Sequence, residues 1–355
     1  MSRKHDLNVV SVDKKTPDSV VVTLEKMPDH TYVSGQYLAL ELSVNGEEVH
    51  RSYSFCSAPF EDHWQIGVKK VPNGKASTYL NDVLTVGEKI TCLEPMGNFV
   101  LPEVAPEKTH YLFFAAGSGI TPIYSMIKTL LNQGNAGKIT LFYGNKSPEK
   151  TMFGNELNAL SQASSECNIE FIYSELGATD PLHKGRIHFG KTLELLRLHP
   201  SGAHTPHAFI CGPGDMITSV QNALTDSGFS EKQIHTEFFT APTSKEETSK
   251  TEAPVEDTTP FSGTASINII LDDEEHTITL KDGGDVILDA ALNAGLDAPF
   301  SCKGGVCTAC RAKVTKGKVE MMSNFALTDG EIEEGFILTC QSHPKSDKIA
   351  LSYDE

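Results

Sequence analysis

The chain has 355 residues, 39% of them hydrophobic, with 28 glycines and 18 prolines; this length predicts about two or three modules, and this composition excludes a disordered or collagenous protein. A formal charge of −17 excludes nucleic acid or an anionic membrane surface as partner, because either needs a basic face to displace counterions. The charge is uneven: residues 241–355 hold 21 Asp and Glu against 10 Lys and Arg, a net of −11 that leaves −6 for the first 240 residues. An acidic C-terminal module can steer onto a basic partner, or simply keep the protein soluble. Met1–Asp6 leads into an alternating pattern and no run of about 18 apolar residues occurs, so a cytoplasmic protein without membrane insertion is expected.

Residues 7–101 read as short alternating strands, such as Val20–Leu24, Gln36–Leu42 and Trp64–Val68, with turn residues spaced as in an antiparallel β-barrel. The barrel module is placed at 1–104. Arg51-Ser52-Tyr53-Ser54 ends one of these strands; an arginine there can neutralise a phosphate, an aromatic can stack on a flat ring and a serine can reach a ring nitrogen. An edge strand with a surface arginine is the plain alternative. Gly74-Lys75-Ala76-Ser77 reads as a glycine-opened turn before a helix over 78–82, a place suited to a diphosphate.

From Tyr111 buried-strand runs alternate with amphipathic helices: Tyr111–Ala115, Ile139–Tyr143, Ile169–Tyr173 and Ala208–Cys211, with a helix over 123–131. This is the βαβ rhythm of a parallel sheet, placed at 105–240. Gly117-Ser118-Gly119-Ile120-Thr121-Pro122 follows the first strand and Cys211-Gly212-Pro213-Gly214 follows the last, two glycine-rich ends expected to face one dinucleotide crevice. Each alone is also an ordinary strand-to-helix turn. Past the strand ending at Tyr173 comes Ser174-Glu175; a carboxylate there favours the free 2′-hydroxyl of NADH, while Lys146, Lys150 and Arg186 keep NADPH open.

Residues 241–262 are polar and proline-containing and are expected to form a flexible acidic tether with an rms reach of roughly 25 Å. Residues 263–355 begin with strands at 266–271 and 277–280 and a helix over 286–294. Cys302-x4-Cys307-x2-Cys310 with a distant Cys340 is the ligand spacing of a plant-type 2Fe-2S cluster, and Lys303-Gly304-Gly305 lets the backbone turn its N–H groups toward the sulfurs. The Cys307-x2-Cys310 pair is also a zinc half-site, though zinc ribbons supply two such pairs. A Rieske centre would need two histidine ligands, and His343, expected in a surface loop, is not placed for that. Cys56, Cys92, Cys167 and Cys211 read as buried packing thiols, and the thirteen histidines show no metal-ligand spacing.

The stretch from Ala298 to Cys310, with Ile337–Cys340, resembles plant-type ferredoxins over residues 263–355. The resemblance implies an α+β β-grasp fold, with Cys302 and Cys307 on one iron and Cys310 and Cys340 on the other. The four motifs of the first 240 residues resemble, in order and spacing, the ferredoxin-NADP reductase superfamily. That implies FAD held by phosphate contact at Arg51, ring packing at Tyr53, Ser54 near the reactive nitrogen and the diphosphate on Gly74–Ser77. It also implies nicotinamide held by Gly117–Pro122 and Cys211–Gly214. Glu237-Phe238-Phe239 matches a Glu-x-Phe ending of these reductases, so Glu237 and Phe239 join the expected flavin side. Ser54, Thr121, Cys211 and Glu237 are then the residues expected around the reacting atoms. The whole order resembles the reductase components of bacterial multicomponent oxygenases, the phenylacetyl-CoA epoxidase type above all. Electrons from NADH or NADPH would pass through FAD and a 2Fe-2S cluster to an oxygenase component. A reductase for a membrane desaturase or alkane hydroxylase, and a redox-sensing iron-sulfur module, are the competing readings.

Overall fold

Six strands fold from the alternating residues at the start: β1 (Lys4–Thr16), β2 (Ser19–Leu24), β3 (Tyr37–Val44), β4 (Glu47–Ser54), β5 (Trp64–Lys69) and, after helix α1 (Lys75–Asp82), β6 (Lys89–Leu93). The computed structural model describes residues 4–134, 137–177, 180–241 and 263–355. The tether expected over 241–262 lies, but for Ala241, outside them. The strands pair antiparallel in the order β4-β3-β6-β1-β2-β5, and a bridge between Phe55 and Ile66 brings the two ends together as a barrel. Asn45 and Gly46, both with positive φ, make the tight β3–β4 hairpin, whose right-handed strand twist demands such residues. Val20, Val22, Leu38, Leu40, Trp64 and Leu80 fill the interior. Lys75–Ser77, expected as a turn, already form the first turn of α1, because no residue after the extended Gly74 cap interrupts the helix.

The second unit is β7 (Thr109–Ala116), α2 (Ile120–Asn132), β8 (Lys138–Asn145), α3 (Gly154–Ala163), β9 (Cys167–Tyr173), α4 (Phe189–Leu198), β10 (Thr205–Gly212), α5 (Gly214–Asp226) and β11 (Ile234–Phe238). Its sheet is parallel, in the order β11-β10-β7-β8-β9. Continuous apolar strands are required here because both faces are covered. Residues of α2 and α3 bury one face, together with Val21 and Phe99 from the barrel side, and residues of α4 and α5 bury the other. The chain reverses its direction of travel between β7 and β10, and ligands of such sheets bind at that switch point, beyond the strand C-termini.

The third unit comprises β12 (Thr264–Leu271), β13 (Glu274–Lys281), α6 (Ile287–Asn293), β14 (Arg311–Lys316), β15 (Val319–Met321), α7 (Asp329–Glu333), β16 (Phe336–Leu338), β17 (Ser342–Pro344) and β18 (Lys348–Ser352). Five strands form a mixed sheet, β13-β12-β18-β14-β16, with β12 parallel to β18. Ile287, Leu288 and Ala291 of α6 pack on it, giving a β-grasp. His343 sits in β17, paired with β15, and not in a surface loop, because Val319–Met321 offers a matching edge.

Barrel and parallel sheet meet beside Gly35, which lies against Phe99 of the barrel side and Met126 of α2. Gly35 has φ 103°, and a Cβ there would lie 1.8 Å from the Phe99 carbonyl oxygen. Gly35→Ala is expected to lower stability by about 2 kcal/mol or more through left-handed strain and the backbone clash, read as a fall in thermal midpoint.

Candidate functional site

Alternation along β4 sends its last residues two ways. Tyr53 is half-buried against the barrel core, and Arg51 is exposed with Nη1 donating to the neighbouring His50 carbonyl at 2.6 Å, leaving most of the guanidinium open to an anion. Ser52 and Ser54 point to the other face. The Ser52 hydroxyl donates to Ser301 Oγ of the third unit at 2.9 Å, and the buried Ser54 hydroxyl donates to Glu237 Oε2 at 3.4 Å. At α1 the Gly74 cap offers no side-chain acceptor to the first N–H groups, which is the arrangement that receives phosphate oxygens. A Cβ on Gly74 would lie 2.4 Å from Val71 Cγ2 and 2.5 Å from Ser77 Oγ, so the cradle itself requires glycine. Ser77 Oγ is occupied within the turn, accepting from Val71 N–H at 3.2 Å, while the Lys75 ammonium pairs with Glu47.

The glycine-rich ends of β7 and β10 touch. A Cβ on Gly119 would sit 2.1 Å from the Cys211 carbonyl oxygen, and one on Gly212 would sit 2.7 Å from Met216 Cε and 3.2 Å from Ala116. Gly117 takes φ 56° and Gly117–Gly119 make one tight turn before α2, which begins at Ile120 with Thr121 and Pro122 in its first turn. The Ser118 carbonyl accepts from the buried Thr121 hydroxyl at 3.0 Å. Thr121 Cγ2 packs where a Cβ on Gly67 of β5 would be, 2.4 Å away, locking sheet to barrel. Pro213 caps α5, whose first residue is Gly214. Past β9, Glu175 pairs with Lys146 at 3.3 Å.

Glu237 on β11 is set opposite Cys211 on β10 by strand register. Its carboxyl is buried, with Ser54 at 3.4 Å and Cys211 Sγ at 4.0 Å. Burial lifts it from 4.5 to about 8, the Ser54 hydroxyl opposing only part of the shift. Burial, then the Glu237 charge, hold the Cys211 thiol well above its ordinary range, so it stays protonated. Ser54, Cys211 and Glu237 thus form one group assembled from three strands. Thr121 is buried and packs its Cγ2 on Gly67 of β5, and Phe239 is exposed beyond the end of β11. Phe238 instead packs at a tilt against Phe325 of the third unit, with ring centroids 5.4 Å apart and planes at 49°.

The cysteine loop is folded as its glycines imply. Lys303 (φ 51°) and Gly305 (φ 73°) turn it through left-handed conformations. Gly304 N–H donates to Cys302 Sγ at 3.3 Å, and Gln341 Nε2 approaches Cys340 Sγ at 3.7 Å. The thiols associate in two pairs, Cys302 with Cys307 and Cys310 with Cys340. The Cys307 thiol, aided by N–H groups of Gly304, Val306 and Cys307, draws Cys302 down to about 6, and the Cys310 thiol lowers Cys340. Two pairs of sulfurs with donors aimed at them fit two irons, each held by two thiolates.

This loop faces the barrel. Tyr37, Ala39 and Leu93 enclose Cys307 and Ala309, with Cys302 packed at the edge. The Tyr37 hydroxyl accepts from Thr308 N–H at 2.8 Å and bonds Thr308 Oγ1 at 3.0 Å. A cleft of about 230 Å3 between the units is lined by both Glu237 and Cys307, with Tyr37 and Phe325 among its walls. Tyr37, Thr308, Ser301 and Phe325 were not legible in sequence, since each acts only through a partner far away along the chain.

A barrel with a phosphate cradle, a parallel sheet with a dinucleotide crevice and a four-thiol loop between them define an NAD(P)H-dependent FAD and iron-sulfur oxidoreductase. Family models agree: an oxidoreductase FAD-binding domain matches residues 7–101, an oxidoreductase NAD-binding domain 113–222 and a 2Fe-2S iron-sulfur cluster binding domain 269–345. The chain is 32% identical over 366 residues to a 1,2-phenylacetyl-CoA epoxidase component of Escherichia coli (strain K12), covering 100% of this chain and 99% of that protein. It is 35% identical over 339 residues to the ferredoxin reductase component of 3-ketosteroid-9-alpha-monooxygenase of Mycobacterium tuberculosis, covering 91% and 86%. Phthalate dioxygenase reductase superimposes with a TM-score of 0.59 at 22% identity over 98% of both chains, which shows the shared fold. The chain belongs to the family of reductase components of multicomponent oxygenases. Among the described residues no helix is long and apolar enough to cross a membrane.

Because folded Glu237 keeps a proton that an unfolded carboxyl near 4.5 releases, its contribution to stability is complete below about pH 4.5 and is lost as pH rises to about 8. Glu237→Gln is expected to remove this slope, on the order of a few kcal/mol, measured as thermal midpoints of both proteins across that pH window.

Proposed function

We propose that this protein draws electrons from NAD(P)H and delivers them one at a time to an oxygenase component of the phenylacetyl-CoA epoxidase type. Its relatives are reductase parts of such systems, and the reading rests on one observation: a single cleft lined by both Glu237 and Cys307. Bound at these residues, FAD would supply the conversion of a hydride's electron pair into single electrons, and a 2Fe-2S cluster would supply one-electron transfer.

In this reading Arg51 neutralises FAD phosphate, Tyr53 packs on its ring and the uncapped N–H groups at Lys75, Ala76 and Ser77 receive its diphosphate. The nicotinamide would be held by Gly117–Pro122 and Cys211–Gly214, the two glycine-rich strand ends that the close approach of Gly119 to the Cys211 carbonyl brings together. Ser54, Cys211 and Glu237 would border the transfer; with its carboxyl lifted to about 8, Glu237 holds a proton at neutral pH and is available as a hydrogen-bond donor. Cys302, Cys307, Cys310 and Cys340 hold the cluster. Tyr37 positions the cluster loop through Thr308, so that the Cys307 side of the loop meets the flavin side of the barrel. A reductase needs this juxtaposition for turnover, whereas a redox-sensing module does not.

Two variants test the path by anaerobic rapid mixing with NADH. Cys310→Ser is expected to leave flavin reduction intact and abolish electron delivery to the oxygenase component; delivery at the parent rate would defeat the proposal. Tyr37→Phe removes a buried hydroxyl that two Thr308 groups use, a loss of about 1–2 kcal/mol. It is expected to slow cluster reduction several-fold while hydride uptake is unaltered.

A further inference from the structure

Away from the cleft, the fold gathers two imidazoles and a carboxylate that sequence spacing gives no reason to associate. His5 lies near the start of β1, Glu94 directly follows β6, and the pairing of His5 with Cys92 brings them to one end of the barrel. His30 arrives from the turn after Met27. That turn is set by Asp29 at φ 59° and by His30 N–H donating to the Met27 carbonyl at 3.3 Å. Glu94 Oε1 is 3.4 Å from His30 Nε2 and 3.7 Å from His5 Nε2, and the three ligand atoms lie within 4.8 Å of one another. The two rings meet edge to face with centroids 5.2 Å apart.

The surrounding contacts leave a nitrogen of each ring without a hydrogen bond. His30 Nδ1 is 2.6 Å from the Pro28 carbonyl oxygen; a carbonyl only accepts, so Nδ1 carries the proton and the neutral ring offers a bare Nε2. That nitrogen faces a carboxylate oxygen, an arrangement that needs a proton or a cation between them. His5 Nε2 is buried and has no hydrogen-bond partner, which buried ring nitrogens rarely tolerate. A tetrahedral ion with bonds of about 2.0–2.1 Å holds its ligands roughly 3.4 Å apart, close to both contacts to Glu94. The His30–Pro28 bond is the outer contact by which ligating imidazoles are usually oriented. Two imidazoles and one carboxylate suit zinc, cobalt or nickel better than magnesium or calcium, and leave a fourth position for water.

We propose that His5, His30 and Glu94 form a binding site for a divalent transition metal of the zinc class, separate from the cluster cysteines. The ion ties the start of β1 to the turn at 28–30 and the end of β6. Lys4, next to His5, reaches Glu41 at 3.0 Å and Asp297 of the third unit at 2.9 Å, so the metal fixes a strand end that contacts the ferredoxin-type unit. The site is independent of the electron-transfer reading and stands or falls separately from it.

The test uses holoprotein with FAD and cluster in place, equilibrated with zinc and desalted, then analysed for zinc and iron and titrated with zinc by calorimetry. One zinc per chain with cluster iron fully retained is the expected result. In His30→Ala and in Glu94→Gln, each with unchanged flavin and cluster absorbance as proof of folding, the affinity should fall at least tenfold. Equal zinc binding by both variants, no zinc retained by the parent protein, or zinc gained only as iron is lost would each overturn the proposal.

Discussion

Burial of the cluster loop against the flavin barrel is the constraint around which the remaining parts are arranged. Cys307 and Ala309 are enclosed by Tyr37, Ala39 and Leu93, and the Tyr37 hydroxyl, itself buried, has Thr308 as its partner. The surface ion pair at this junction is a weaker anchor. Lys4–Asp297 places an ammonium on a carboxylate whose side chain is 75% exposed, and such pairs contribute about 0–1 kcal/mol. Leaving a buried hydroxyl and amide unsatisfied costs about 1–3 kcal/mol, and the enclosed apolar groups add to that. Orientation therefore comes from Tyr37 and its apolar surround, with the Ser52–Ser301 and Phe238–Phe325 contacts beside it, and the peripheral charges contribute little.

Glu237 meets a second constraint. A carboxylate excluded from water is expensive unless paired, and here its neighbours are the Ser54 hydroxyl and the Cys211 thiol, neither of them cationic. The fold resolves this by keeping the proton. The same desolvation raises Cys211, so the pocket is lined by groups that are neutral near pH 7 and offers hydrogen bonds without fixed charge.

Much of the architecture was legible because the periodicities differ: alternation at Val20–Leu24, unbroken apolar runs such as Tyr111–Ala115, and four cysteines whose spacing has few other uses. The glycine-rich ends were legible as motifs, and their contact supplies the reason for them, since Gly119 must admit the Cys211 carbonyl. Ser52 shows the limit. Within Arg51–Ser54 nothing signals that its hydroxyl bonds Ser301, a residue of the third unit far along the chain. Lys75–Ser77 belong to the helix and not to a glycine-opened turn before it, because the extended Gly74 is the helix cap. His5, His30 and Glu94 come together only through barrel register and a left-handed Asp29, which no linear spacing encodes.

One strand end joins these constraints. β11 is an edge strand, and an exposed edge is a liability for unwanted pairing. Its successive residues face opposite ways, so Glu237 turns to Ser54 and Cys211 while Phe238 turns to Phe325. The segment from Phe325 to Thr328 lines the same cleft as β11 from Ile234 to Phe238. The third unit thus meets this edge strand through Phe325 and shares with it the cleft that Glu237 lines. A displacement of that unit would expose Phe238 and open the surroundings of Glu237 together, which couples the environment of the buried carboxyl to the position of the electron carrier.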